Sequence, residues 1–199
     1  TVQTQQVGQS QFSFLVYEQV YDESGNPLEG VYVDQNGDGI INDSDKRIFN
    51  NPNPDYLFGL SSYMTFHQNW DFSFTMRASL GNYVYNNVAS ANGVYAGVWE
   101  LNSLRNAHAS VLETDFREQQ FWSDYYVQDA SFLRMDNVAL GYSFSNLNEG
   151  NTRLRIYSTV QNVFVLTPYE GLDPEINGGI DNNFYPRPRT FLVGLNLNF

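Results

Sequence analysis

Along much of this chain apolar and polar residues alternate one by one, the period of a strand whose two faces meet different surroundings. From Trp70 to Gly81, the residues Trp70, Phe72, Phe74, Met76, Ala78 and Leu80 share one face and Asp71, Ser73, Thr75, Arg77 and Ser79 the other. In the run before it, Tyr56, Phe58, Leu60, Met64 and Phe66 oppose Gly59, Ser61, Thr65 and His67. Only "HQN" separates the two runs, which predicts an antiparallel hairpin. Further on, Val138, Leu140, Tyr142 and Phe144 alternate with Asn137, Ala139, Gly141 and Ser143. Leu154, Ile156 and Val160 then oppose Arg153, Arg155, Tyr157 and Gln161. In the last run Phe191, Val193, Leu195, Leu197 and Phe199 oppose Gly194, Asn196 and Asn198. A less regular segment, "QFSFLVYEQV", is a sixth strand candidate.

These runs are about ten residues long, the length that crosses a bilayer as a tilted barrel strand. A soluble β-sandwich alternates too, but its outer face is solvated and usually rich in charge. Here the polar face is mostly Ser, Gly, Asn and Thr, as in a wet lumen. Aromatics gather near strand ends on the apolar face, as in the girdles of membrane barrels. The predicted connections alternate in length. Residues 21–55, 82–130 and 167–189 are long loops, while 67–69 and 145–152 are short turns. In an up-and-down barrel alternate connections share a rim, so the long loops lie on one side. In outer-membrane barrels that side is extracellular. By the same parity the last strand runs inward and Phe199 sits at the periplasmic rim. A helical piece is expected in "WELNSLRNAHASVLETDF". The fold class predicted is all-β: about six antiparallel transmembrane barrel strands with long extracellular loops. Six strands cannot close a membrane barrel, for which about eight is the usual minimum. An open edge in lipid would leave backbone groups unpaired. The chain therefore reads as the C-terminal part of a larger barrel.

Composition narrows the choices. Net charge is −12, with 10 Lys plus Arg against 22 Asp plus Glu, which excludes nucleic acid as a partner. There is no cysteine, so thiolate metal sites and disulfides are out. Aromatics reach 16% and need burial or an apolar medium. No apolar run is long enough for a transmembrane helix, and the polar start "TVQTQQVGQS" carries no secretory leader. That start fits a cytosolic chain, or a mature or internal piece of a longer one.

Five stretches, in order, carry a family resemblance: "DQNGDGIINDSDKRIFNNPNPDYLFGL", "NWDFSFTMRASLGNYVYN", "DASFLRMDNVALGYSF", "LRIYSTVQNVFVLTPYEGLDPE" and "YPRPRTFLVGLNLNF". Together they resemble the C-terminal barrel region of the SusC/RagA-type TonB-dependent transporters of Bacteroidetes outer membranes, from about Val31 onward. The resemblance implies a plugged barrel of about 22 strands that imports oligosaccharides or peptides. It further implies a SusD-like lipoprotein lid and a TonB complex that energises transport through a part not included here. The remainder of the barrel, lipid and the outer-membrane assembly machinery complete the partners expected. A terminal aromatic such as Phe199 resembles the signal that machinery reads. A secreted, calcium-stabilised, glycan-binding β-sandwich is the alternative, and a glycan-active enzyme a third.

The run from Asp34 to Asp45 follows a twelve-residue calcium template. Asp34, Asn36, Asp38 and Asn42 stand at positions one, three, five and nine, and Asp45 at twelve. Gly39 permits the sharp turn, Ile40 offers its carbonyl, and Ile41 would pack the loop down. Calcium wants oxygen donors, and this spacing wraps them around a point. Asp45 stands where a helix-flanked loop of this kind has Glu. The same residues also favour a metal-free turn. A calcium ion here would be structural, bracing a loop between strands.

Catalytic candidates are sparse. His67 and His108 lie far apart, and Glu100, Glu113, Asp115 and Asp124 read as solvated loop acids. No catalytic residue is assigned and the chain is read as a non-enzyme. Loop aromatics are the candidates for contact with a ligand or the lid: Tyr83, Tyr85, Trp122, Tyr125, Tyr126 and Tyr169.

Overall fold

Five of the alternating runs become five long strands: β1 Tyr56–Phe66, β2 Trp70–Leu80, β3 Phe132–Ser145, β4 Arg153–Leu166 and β5 Thr190–Asn198. They are seen in a computed structural model that describes residues 1–96, 98, 106–145 and 152–198. The strands pair in chain order as one antiparallel meander. Phe66 faces Trp70 across the β1–β2 turn, where His67 and Gln68 both take positive φ, 47° and 62°. The register holds the two faces apart across the sheet. Phe74 sits between Ser62 and Val138, and Ile156 between Tyr142 and Leu195. One irregularity interrupts β3 between Met135 and Asn137. The extra residue there shifts the alternation, so that Leu133 and Met135 lie on the same face as Val138.

The apolar face is bare. Phe191 and Val193 are 72% and 79% exposed, and Tyr56, Phe58, Leu60 and Leu197 are exposed as well. A sandwich would bury these side chains against a second sheet, and among the described residues none covers them. The sandwich alternative therefore does not describe this sheet. The sheet is also open: β1 and β5 are its edges, and no closed barrel forms within the described residues.

The remaining residues form a second unit from three separate segments, Thr1–Pro54, Gly81–Ala130 and Tyr169–Tyr185. Its strands are short. Gln3–Thr4, Ser13–Tyr17 and Lys46–Ile48 make one sheet, Gln19–Tyr21 pairs with Pro27–Tyr32, and Tyr83–Tyr85 pairs with Val127–Asp129. The core gathers Phe14, Val16, Tyr85, Ala89, Tyr126 and Val127, with a smaller cluster of Val84, Ala130 and Tyr169. This corrects the sixth-strand expectation. The segment "QFSFLVYEQV" does not join the long meander: its strand stops at Tyr17, and Ser13, Phe14 and Val16 are all buried. A strand buried on both sides shows no clean period-two pattern.

Of the helix expected over residues 99–116, residues 99–105 lie outside the described residues, 106–110 are not helical, and only Val111–Thr114 is seen as helix. A helix not anticipated runs Asn87–Asn92, capped by Asn86, whose side chain accepts the Ala89 N–H. Among the described residues no helix is long and apolar enough to cross a membrane, which says nothing of strands that do so.

Candidate functional site

The loop from Asp34 to Asp45 is held by its own backbone. The Asp34 carboxylate accepts N–H bonds from Gly37 and Gly39, both at 2.7 Å. Both glycines take positive φ, 74° and 78°, which brings their N–H groups round to one carboxylate. Asn36 Oδ1 accepts the Asp38 N–H and Asp38 Oδ1 accepts the Ile40 N–H, each at 2.8 Å. Asn42 and Asp45 cap each other reciprocally around a short 3₁₀ turn, Asp43–Asp45. Asp45 is fully buried and also accepts the Gln35 N–H at 3.0 Å. The Gly39 N–H above all, with those of Gly37 and Asp38, holds the Asp34 carboxyl below the usual carboxylate range, against the opposing effect of burial. The Asp45 side chain lies within hydrogen-bonding reach of it.

The donor types suit a hard cation, since all are oxygens. The gathering is narrower than the template. Asp34 and Asp45 come together, Asp38 turns to its own loop backbone, and the Ile40 carbonyl accepts from Asn42 Nδ2 at 3.0 Å. No cluster of three acidic or histidine groups forms among the described residues. Ile41 does not pack the loop down: it is 42% exposed, and the buried residue that anchors the loop is Asp45.

Lys46, next to Asp45, ties this loop to an aromatic group. Its Nζ lies 2.7 Å from Asp43 Oδ1, 4.0 Å from the Trp122 ring centre and 5.0 Å from that of Tyr17. Tyr17 stacks on Tyr32 at 5.0 Å. Beside them Arg47 bridges Glu18 and Asp124, at 3.0 and 2.8 Å. Burial pushes the Asp124 carboxyl up, and the Gln19 N–H and Arg47 pull it back.

The loop aromatics expected at a ligand divide by burial. Tyr85, Tyr126 and Tyr169 are core residues with no free ring face, which corrects that expectation for these three. A ring used as core cannot also stack on a solute. Tyr85 OH lies 2.9 Å from Ser90 Oγ, and Tyr169 OH donates to Asp181 Oδ2 at 2.7 Å. Burial, then Asp181, pushes the Tyr169 phenol up, so it stays a donor. Tyr83 and Tyr125 are half-buried. Trp122 is 37% exposed, with Lys46 over its ring. Among the acids, Glu113 and Asp115 are exposed and Asp124 is engaged by Arg47. Glu100 and Phe199 lie outside the described residues. His67 is an exposed turn residue, and His108 lines a small cavity.

On the polar face of the meander, charge is organised across strands. Arg155 of β4 grips Asp71 of β2 with two hydrogen bonds that pass over Gly141 of β3. A Cβ at Gly141 would come within 2.5 Å of Asp71 Oδ1 and 2.6 Å of Arg155 Nη2. Arg155 in turn lies over the Tyr157 ring at 4.7 Å, and that ring covers Gly194 of β5. Farther along, Arg77 pairs with Asp136 at 2.9 Å, and Arg134 donates to Asn162 at 2.7 Å. Sequence periodicity marks this face as polar, but two glycines had no stated role. Their role is to leave room for side chains reaching over from neighbouring strands.

The long strands form an antiparallel meander with one apolar and one polar face. No protein-family model matches the sequence. The TonB-dependent receptor SusC of Bacteroides thetaiotaomicron is 48% identical over 205 aligned residues, covering 100% of this chain and 20% of that receptor. The chain belongs to the SusC/RagA-type TonB-dependent receptors. The TonB-dependent receptor P3 of Formosa agariphila is 30% identical, over 87% of this chain and 19% of its own length. The chain thus spans about a fifth of the length of the curated receptors it matches. Those relatives are receptors and not enzymes. Solved structures of the RagAB peptide importer share the fold. In its "open-open" state 94% of this chain is matched with a TM-score of 0.70 at 18% identity, and in its "closed-closed" state the TM-score is 0.68 at 19%. The SusC-like segment therefore carries the five long antiparallel strands together with a folded body of loops.

Proposed function

We propose that this segment is the C-terminal stretch of an outer-membrane TonB-dependent importer of oligosaccharide or peptide nutrients. The observation that carries the reading is the bare aromatic and aliphatic face of β1–β5. That face suits hydrocarbon, and the opposite face of Arg, Asp, Asn, Ser and Gly suits a hydrated lumen. The open edges β1 and β5 call for further strands, since backbone groups in lipid must all be paired. The remaining strands of the same receptor supply them. In this reading the loop body faces outward, a SusD-like lipoprotein closes over it, TonB supplies energy from the periplasm, and the chain's last strand ends on the periplasmic side.

The test is genetic and biochemical. The complete receptor should fractionate with the outer membrane, and its deletion should abolish growth on one oligomeric nutrient in a TonB-dependent manner. A receptor recovered as a soluble periplasmic protein would end the proposal. Calcium belongs to the same reading: the oxygen-rich Asp34–Asp45 loop, with two facing carboxylates, would take the ion to brace an outer loop. Extracellular modules bind calcium at roughly 10⁻⁴–10⁻³ M. Calorimetric titration of the receptor should show that binding, and Asp34→Ala should remove it. Equal heats for both proteins would leave a metal-free turn.

A further inference from the structure

Three asparagines are followed directly by glycine: Asn36, Asn92 and Asn177. Such a pair carries a latent reaction. The glycine's peptide nitrogen can attack the side-chain amide carbon of the asparagine, since no Cβ on the glycine shields that nitrogen. Whether it does so in a folded chain depends on what holds the two groups, and the three pairs are held differently. Asn36 is tied throughout. The Gly37 N–H donates to Asp34 Oδ1 at 2.7 Å, Asn36 Nδ2 donates to Asp38 Oδ2 at 3.0 Å, and Asn36 Oδ1 accepts the Asp38 N–H at 2.8 Å. Asn92 ends the helix Asn87–Asn92. Its Nδ2 donates to the Val88 carbonyl at 3.2 Å, and the Gly93 N–H donates to the Ala89 carbonyl at 2.7 Å.

Asn177 has no such restraint. It is exposed at the second position of a turn, which the Gly179 N–H closes onto the Ile176 carbonyl at 3.1 Å. Among the described residues no hydrogen bond engages its side chain, its carbonyl or the Gly178 N–H. Gly178 takes φ 81°, as the third residue of such a turn requires, and a Cβ there would meet no atom within 4 Å. The 177–178 peptide therefore has open space in which to rotate toward the Asn177 side chain. Yet the turn is fastened to the core on both sides. Ile176 packs against the cluster of Val84, Ala130 and Tyr169. Gln3 Nε2 donates to the Gly178 carbonyl at 2.7 Å, and the Tyr85 N–H to the Gly179 carbonyl at 2.8 Å. Gly179 is buried so closely that a Cβ would come within 2.4 Å of Pro52 and 3.2 Å of Phe14. The span between these anchors has no slack for an extra backbone atom.

We propose that Asn177 is a site of spontaneous deamidation, and that its isoaspartyl product unfastens this turn from the core of the loop unit. The Gly178 nitrogen bonds to Asn177 Cγ and gives up its proton, the side-chain nitrogen leaves as ammonia, and a cyclic imide remains. Water then opens the imide with no change of oxidation state. Addition at Cγ gives an ordinary aspartyl residue. Addition at the main-chain carbonyl routes the backbone through Cβ and Cγ, one methylene longer. In the experiment the complete receptor in detergent is aged in warm, mildly alkaline buffer beside a urea-unfolded sample. Digests are followed by mass spectrometry with electron-transfer fragmentation, which separates isoaspartate from aspartate. A reaction that must first break a hydrogen bond is slowed by about tenfold. In the folded receptor Asn177 should thus convert about tenfold faster than Asn36 or Asn92, or more, while in urea the three should convert at similar rates. Hydrogen exchange at the Tyr85 amide should speed up in step with isoaspartate. Asn177→Asp, which adds the charge without lengthening the backbone, should leave that exchange unchanged. Asn177→Gln should keep its protection on ageing. Persistence of Asn177 in the folded receptor while it converts in urea overturns the proposal, as does conversion of Asn36 or Asn92 at the same rate in the folded receptor. Unaltered Tyr85 exchange in fully converted protein overturns the link to the core.

Discussion

Gly141 is the position at which the internal architecture of the β1–β5 sheet can be tested most directly. Replacing it with Ala places a methyl group 2.5–2.7 Å from Asp71 Oδ1 and from Nη2 and Nε of Arg155. These atoms are ends of side chains, so the sheet survives and the two-pronged pair between β2 and β4 opens instead. A hydrogen bond to a charged group contributes roughly 1.5–3 kcal/mol net. Asp71 is 12% exposed at its side chain and Arg155 30%, so water recovers part of that loss on opening. The expected cost of Gly141→Ala is therefore about 1.5–3 kcal/mol, the value of one charged bond and not of two. The assay is urea unfolding of the complete receptor in detergent, followed by tryptophan fluorescence and by heat-modifiable mobility on gels. A double-mutant cycle isolates the cause. In an Asp71→Ala/Arg155→Ala background the methyl group displaces nothing, and Gly141→Ala should cost less than about 0.5 kcal/mol. If the full cost persists in that background, the glycine serves the strand backbone and the ion pair is incidental to it.

Three further outcomes follow from the loop unit. Lys46→Met removes the charge from between Asp43 and the Trp122 ring and should destabilise the unit by about 1 kcal/mol, with altered Trp122 emission; unchanged emission and stability would show the contact to be idle. Tyr169→Phe strips the buried Asp181 carboxylate of its phenol donor and should cost about 1–3 kcal/mol in the same urea titration, and a neutral result would mean water replaces the hydroxyl. Asp34, whose carboxyl is held below the usual value of about 3.9, is ionised in the folded loop down to that lowered value. Its contribution is complete above the usual value and fades as pH falls through the lower one, so exchange protection of the Gly37 and Gly39 amides should hold at neutral pH and collapse only below about pH 4. Protection lost near pH 6 would refute this.

The long strands were legible because a residue on a two-faced sheet has one of two environments, and alternation records which. Among the described residues, every apolar position read in β1, β2 and β5 lies on the predicted face. Where the backbone breaks its period the reading stopped: β3 begins at Phe132, but the irregularity before Asn137 reverses the phase, and only residues 137–144 appeared regular. The helix Asn87–Asn92 announces itself by Asn86 and Gly93 at its ends, yet it is too short to show a helical period. The loop unit was the least legible part. Tyr85 and Tyr126 lie in loop sequence and resembled exposed rings, because burial there depends on partners such as Phe14, far away along the chain. Backbone bonding by Asp34 and Asp38 follows local spacing and was foreseeable; the depth of Asp45 was not, since it depends on how the whole segment packs.

The scattered origin of the loop unit has a consequence for biogenesis. Gln3 binds the carbonyl of Gly178, Phe14 packs with Tyr85 and Tyr126, and Tyr85 donates its N–H to Gly179. The cluster of Val84, Ala130 and Tyr169 is complete only with the third segment, more than a hundred residues after Phe14 and Val16. Slow closure of this kind exposes sticky intermediates. A chain still emerging therefore has an unfinished core in this unit to keep from sticking, as well as the apolar face of β1–β5.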